Sequence, residues 1–317
     1  MKKTILMLGG SRRVSLADLL VESGRKFDTD VKIVAYELNL EVPIALKGEV
    51  VRGLKWSDPD VVEDIARVCE EFKVDIILPF VNGAVEVASQ CKERIPGVFV
   101  PVADYKLTSR LFDKVEASRI FKDAGFPIPK TYTVINNVMP AIAKPRKGGS
   151  SRGIQIFHDV DDLMHLENLD SYIIQEYIAH NKEYTVDCYV DASGKILCTV
   201  PRERLEVLGG EVNRTRTCHI DAIIDLSREV IEKCGLTGAV TLQFLHDEDR
   251  DRFLLMEVNP RLGGGVICSI YAGAPITDYI IGESLGKELT VCDSWSSDVL
   301  MSRYMEEAIF HNGKIIR

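Results

Sequence analysis

Short apolar runs recur at 4–8, 31–36 and 75–80, with a shorter one at 98–100, and between them apolar positions fall at helical spacing over 15–23, 59–72 and 84–92. Asp58 can cap the second of these helices, and Pro59 suits a first helical position. Strands joined by helices predict a parallel sheet covered on both faces. Past Asp104 the pattern changes. One helix is expected over 107–124, stopped by Gly125 and the segment Phe126-Pro127-Ile128-Pro129. Several short strands follow over 131–200, with a helix near 159–168, and Asp191-Ala192-Ser193-Gly194 marks a hairpin turn. A helix at 221–234, strands at 239–245 and 253–259 around an acidic turn, a helix at 275–285 and a last strand near 300–310 complete the pattern. The fold class is α/β, an open parallel sheet followed by a two-lobed α+β unit.

Composition narrows this reading. A chain of 317 residues is two domains' worth at ~100–200 residues each. Its 46% hydrophobic and 27% charged residues argue against extensive disorder and fibrous repeats. Thirty-nine Lys and Arg against 48 Asp and Glu leave a formal charge of −9, which opposes nucleic acid and anionic membranes as partners. Any polyanion must therefore meet a local basic cluster. No apolar run approaches the ~20 residues that span a bilayer, and the opening residues read as a first strand rather than a signal peptide. The eight cysteines stand at least ten positions apart, with no C-x-x-C pair, and read as reduced, mostly buried thiols of a cytoplasmic protein.

Three stretches could carry chemistry. Gly9-Gly10-Ser11-Arg12-Arg13 follows the first strand, where helix N-terminal amides can hold an anion, and Glu37 ends the second. The spacing is not G-x-G-x-x-G, so a tight turn is the better reading than a nicotinamide site, with Arg12 free to face a ligand carboxylate. From Lys144 to Gly153 there are four cations and no anion, set among Gly148, Gly149, Ser150 and Ser151. Glycines let amides turn towards phosphate, serines add donors, and the cations offset its charge. Finally, Glu257 and Asn259 are two apart on a strand and so share a face, and Gln243 on the preceding strand can add a third oxygen for one hard cation.

These residues, in this order, resemble the ATP-grasp superfamily, in particular its carbamoyl-phosphate-synthetase-like members. The resemblance runs from the strand–helix N-terminal unit through Asp113-Lys114, the Lys144 strand and glycine loop, and Gln175-Glu176-Tyr177-Ile178 to Glu257-x-Asn259-Pro260-Arg261. It implies a preceding domain over 1–103 and ATP-grasp lobes over 104–180 and 181–317. Lys114 and Lys144 would contact phosphate, Gly148–Gly153 would close over it, Glu176, Tyr177 and Ile178 would meet the adenine, and Glu183 the ribose. Gln243, Glu257 and Asn259 would hold magnesium, for which manganese could substitute. Gln243 stands where an acidic residue is frequent, which makes that site less negative. Arg261 would steady the transferred phosphoryl group.

The resemblance implies an ATP-dependent ligase that activates a small carboxylate as an acyl phosphate for attack by an amine. Arg12, Arg214, Arg216 and Gly264 are candidates for the substrate pocket, whereas for Asn82 local backbone geometry or capping is the better reading. A bicarbonate-activating carboxylase and a non-catalytic ATP-binding sensor subunit are the alternatives. Full carbamoyl-phosphate synthesis is disfavoured, because one set of motifs is present where that activity uses two. The substrates and the oligomeric state, a homodimer among the options, stay open.

Overall fold

The computed structural model describes residues 1–132, 139–149 and 152–317. Residues 2–94 form β1 (Lys2–Leu8), α1 (Val14–Lys26), β2 (Asp30–Glu37), β3 (Glu49–Arg52), α2 (Val61–Phe72), β4 (Ile76–Pro79) and α3 (Asn82–Arg94). All four strands are parallel, in the order β3-β2-β1-β4. The order switches direction between β1 and β4, and the carboxyl ends of strands at such a point border a crevice suited to ligands. Helices cover both faces, so Ile5, Leu6, Met7 and Leu8 are all fully buried.

Two local expectations fail here. Pro59 precedes the helix instead of opening it, because Asp58 Oδ1 accepts the Asp60 amide at 3.0 Å in a turn that delays the helix to Val61. Residues 98–100 make only a single bridge, Phe99 to Ile76.

The helix expected over 107–124 is two, α4 (Tyr105–Leu111) and α5 (Lys114–Asp123). Asp113 divides them: its carboxylate accepts the amides of Val115 and Glu116 at 3.0 and 3.4 Å, starting a new helix with its own cap. β5 (Ala141–Pro145), β6 (Gln155–Phe157), α6 (Val160–Met164) and β7 (Tyr172–Glu176) follow, the strands forming an antiparallel sheet in the order β6-β5-β7. Its core is small: Ala141, Ala143, Leu163 and Ile174.

The rest of the chain builds on β8 (Asn181–Val190), β9 (Ile196–Leu208), β10 (Glu211–Thr217), α7 (Asp221–Cys234), β11 (Gly238–Asp247) and β12 (Arg252–Asn259), then α8 (Val266–Tyr271), α9 (Ile276–Ser284) and β13 (Leu300–Ser302). The strands make a six-stranded antiparallel sheet, β12-β11-β8-β9-β10-β13, and β14 (Phe310–His311) pairs with β15 (Lys314–Ile315) in a separate hairpin. One face of the large sheet is apolar. Tyr184, Val186, Cys188, Leu242, Phe244 and Val258 pack there against Phe121, Ile223 and Val230 of α5 and α7.

The two larger sheets share a core. Ile5 and Met7 of β1 and Leu16 and Leu20 of α1 cluster with Tyr189 and Leu197 of β8 and β9 and with Ile276 and Ile280 of α9. Ser23 and Lys26 on α1 also bond Asp278 on α9, at 2.6 and 3.0 Å. A second close approach requires glycine at 238, where φ is +78° and a Cβ would lie 2.1 Å from the Pro101 carbonyl oxygen. All eight cysteines are free thiols, five of them buried. No helix among the described residues is long and apolar enough to cross a membrane.

Candidate active site

The other face of the six-stranded sheet is polar, and it floors a cleft of about 840 Å³. Register sets its contents. Gln243 stands opposite Glu257 and Thr241 opposite Asn259 across β11 and β12, while β8 places Thr185 and Asp187 beside Gln243 and Thr241. Alternation along β12 thus brings Glu257 and Asn259 to one face beside Gln243. Their oxygens suit a hard divalent cation. No group of three His, Cys, Asp or Glu side chains that could hold a metal occurs among the described residues, and oxygens from water or a phosphate could complete the shell of a cation held by Gln243, Glu257 and Asn259. Glu257 makes no ion pair among the described residues, yet its charge bears on Lys144, Arg204 and Arg261.

Opposite this floor stand α5 and the three-stranded sheet. Lys114 begins α5 and its Nζ donates to the Gly148 carbonyl at 3.0 Å, while its own amide donates to the Arg146 carbonyl at 2.9 Å. Arg146 in turn holds Asp113 at 2.8 Å. Burial would raise the Asp113 carboxyl, but the Arg146 guanidinium and the two capping amides outweigh it and hold it below the usual carboxylate value. One carboxylate therefore fixes both the start of α5 and the root of the glycine loop. Lys144 projects from β5 and donates to Gln175 Oε1 at 3.1 Å. Burial pushes its ammonium down, and Glu257 pulls it back.

Glu176, Tyr177 and Ile178 line the cleft where β7 ends. The Glu176 amide is taken by the Lys130 carbonyl, and the Ile178 carbonyl accepts from Asn181 Nδ2 at 2.7 Å. The Ile178 amide makes no backbone hydrogen bond among the described residues, which leaves it as the donor at this edge. The Glu176 side chain turns away to Arg252 at 3.1 Å. Glu183 Oε2 lies 3.0 Å from Arg204 Nε, an ion pair at the cleft wall.

The far end of the cleft is rich in arginine. Arg261 Nε donates to Asn82 Oδ1 at 3.3 Å and Nη1 to the Leu262 carbonyl at 3.2 Å. Asn82 is thus no cap: it opens α3 without a capping bond, and its side chain reaches across the cleft instead. Arg13 and Arg303 both donate to the Gly264 carbonyl, and Glu211 pairs with both. Burial and the neighbouring Arg303 and Arg261 push the Arg13 guanidinium down to about 10, against the pull of Glu211. Beneath them Arg202 and Asp187 form a fully buried ion pair at 2.7 Å, with Ser269 at 2.6 Å from the same carboxylate. Gly263 and Gly265 cover this pair closely: a Cβ on Gly265 would lie 2.5 Å from Arg202 Nη1.

Lys114, Lys144, Gly148, Gly149, Glu183 and Gly264, with the residues of the metal set, the hinge and Arg261, therefore border one cleft. Ser150 and Ser151 lie outside the described residues. Three sequence candidates do not reach the cleft. Arg12 is exposed, and its neighbour Arg13 points inward in its place. Arg214 and Arg216 alternate with the buried Thr215 on β10, so both face outward, Arg216 lying 3.9 Å from Asp298. Arg13, Glu211 and Arg303 were not among the candidates. Their only sequence signal is a charge in a loop or at a strand end, where no periodicity gives direction.

With this geometry in place, relatives can be compared. A family model described as ATP-grasp in the biosynthetic pathway with Ter operon matches residues 168–306. The carbamoyl phosphate synthase large chain, C-terminal section, of Methanopyrus kandleri is 22% identical over 261 residues, covering 74% of this chain and 48% of that one. Biotin carboxylase 1 of Bacillus subtilis is 24% identical over 261 residues, covering 72% of this chain and 56% of that one. The chain thus spans about half the length of these curated relatives.

Among solved structures, the biotin carboxylase domain dimer of Hydrogenobacter thermophilus 2-oxoglutarate carboxylase, with MgADP, ADP and bicarbonate, superposes with a TM-score of 0.75 at 16% identity, covering 94% of this chain and 73% of that one. N5-carboxyaminoimidazole synthetase from Staphylococcus aureus, complexed with ADP, gives 0.72 at 19% identity, covering 92% and 80%. The fold is that of the ATP-grasp enzymes. Over residues 168–306 the chain is thus similar to an ATP-grasp family, and over most of its length to carbamoyl phosphate synthases and biotin carboxylases.

Proposed function

We propose that the cleft binds ATP with magnesium and uses it to activate a small carboxylate for attack by an amine. The observation that carries this reading is the convergence of Lys114, Lys144 and Arg261 with Gln243, Glu257 and Asn259 on one cleft. In this reading the Ile178 amide meets the adenine edge, and Glu183 the ribose. Lys114 and Lys144 neutralise phosphate charge from the same wall of the cleft, and the loop at Gly148 and Gly149 closes over it. Bound magnesium would add charge neutralisation through the oxygens of Gln243, Glu257 and Asn259.

A carboxylate oxygen of the substrate forms a bond to the γ-phosphorus while ADP leaves with the electrons of the broken bond. The amine then attacks the acyl carbon, phosphate leaves, and the amine loses its proton. Arg261 lies where it can hold the transferred phosphoryl group, and Arg13 and Arg303 stand further along as partners for the carboxylate. Positioning and charge neutralisation supply the catalysis in such transfers, without a covalent protein nucleophile.

A phosphate-release screen with ATP, magnesium and pairs of small acids and amines tests the reaction. Glu257→Ala should abolish magnesium-dependent ADP formation, and unchanged turnover would overturn the metal assignment. A second reading, a bicarbonate-activating carboxylase, is favoured by the bicarbonate in the Hydrogenobacter structure and by the biotin carboxylase relative. It predicts ATP turnover that depends on bicarbonate alone or with biotin.

A further inference from the structure

A second cavity, of about 300 Å³, lies at the carboxyl ends of β1 and β2, within the N-terminal sheet and apart from the nucleotide cleft. The ligase chemistry above makes no use of it. Its walls are the part-exposed Trp56, backed by the fully buried Tyr36, with Val42 and Leu54, and its polar side chains include Glu37 and Asn39. The two rings stand 5.8 Å apart and tilted by 36°. The Tyr36 hydroxyl is fully engaged, donating to Asp64 at 2.7 Å and accepting the Leu54 amide at 2.8 Å, so this wall is rigid. Gly9 clears the mouth: at φ +69° it lies where a Cβ would meet Val81 at 2.8 Å and Trp56 at 3.5 Å.

The charge of this cavity is the reverse of the cleft's. Among the described residues no Lys or Arg lines it, and Glu37 is its one ionisable carboxylate. One oxygen of that carboxylate, Oε1, is buried without a hydrogen-bond partner, a costly arrangement that a donor from a ligand would relieve. An aromatic face beside a carboxylate, here that of Trp56, favours a cation carried on an apolar body. Val81 lines both cavities, so a molecule seated here adjoins the cleft.

We propose that this cavity anchors the amine co-substrate through a non-reacting ammonium group on an apolar or aromatic body, the ammonium facing Glu37 and the ring of Trp56. The reacting end extends past Val81 to the acyl phosphate. The assignment of the occupant as co-substrate rests on the ligase reading; the ammonium site itself does not.

Proton linkage supplies an independent signature. Burial pushes the Glu37 carboxyl up to about 7, against the amides of Ser11 and Gly10. The other charged groups around it are engaged or turned away. Arg52, opposite on β3, donates to the Leu38 carbonyl, Asp64 on α2 holds Tyr36 and Arg67, and Arg12 on the loop after β1 is exposed. An ammonium ligand should therefore bind about tenfold more weakly for each pH unit below 7, because the carboxylate must first ionise.

Calorimetry with 2-phenylethylamine, without nucleotide, tests the site, with 2-phenylethanol and 3-phenylpropionate as uncharged and anionic controls. The amine should bind and neither control should. Glu37→Gln should weaken the amine at least tenfold at about pH 8, and Trp56→Leu, which keeps the charge, should also weaken it. A melting transition for each variant establishes that it is folded. Equal affinity in Glu37→Gln, preference for 3-phenylpropionate, or no amine binding would overturn the site. If no acid and amine pair yields ADP while the amine still binds through Glu37, the ligase reading fails and the ammonium site stands. If Glu37→Gln turns over with an unchanged KM for the amine, the anchoring role fails and the ligase reading stands.

Discussion

Asp187 and Arg202 illustrate what the polar floor of the cleft requires of single residues. Both are almost wholly buried, and the pair is completed by Ser269 and Thr215. Removing one partner from such a pair strands the other charge in the interior. Asp187→Ala should therefore cost about 3–5 kcal/mol of stability, measured by urea unfolding, and should do so without any ligand present. Glu37 makes a prediction of the opposite kind. Its carboxyl is raised from an ordinary 4.5 to about 7, so between these values the folded chain keeps a proton that the unfolded chain has lost. Stability contributed at this position falls as pH rises through that window, and the loss is complete above it. Glu37→Gln should match the parent near pH 4 and exceed it near pH 8 by on the order of 1–2 kcal/mol, allowing for solvent access. Equal stabilities across the range, in melts at matched ionic strength, would refute this.

Among the sheets that border the cleft, the three-stranded one is the least supported. Among the described residues its core has four fully buried members, two of them alanines, whereas the two larger sheets are buried in extensive clusters. Yet it carries Lys144 and the root of the glycine loop. Amide exchange should be faster in β5, β6 and β7 than in β8 or β11, and magnesium with ATP should protect the former strands more; uniform protection would contradict this.

Elements like β8, β11 and β12 were legible in sequence because alternation fixes which side chains share a face, and that brought Glu257, Asn259 and Gln243 together correctly. Alternation was equally available for β10, where Thr215 is buried and Arg214 and Arg216 are not, but the cluster of arginines outweighed it. The division between α4 and α5 was hidden because Asp113 sits inside an unbroken helical pattern and reveals itself only by capping. β3 is too short to signal itself. Arg13 replaced Arg12 because a loop has no period from which direction can be read, and the Arg202–Asp187 pair depends on a register between strands that spacing alone does not supply.

For the whole molecule, the net charge of −9 coexists with a cleft bordered by many cations. The excess acid lies elsewhere, so attraction for a small anion is confined to one place. Two sheets flank that place on a common interior, through Leu16 and Ile280, through Ser23 and Asp278, and through Gly238 against Pro101. This shared interior bears on how new specificities could arise. Exchanging the N-terminal unit for that of another protein would leave α9 and the start of β9 without matching partners. Diversification in this lineage would then proceed by substitutions around the two cavities, such as at Val42, Asn39 or Glu211, and not by recombination of whole modules.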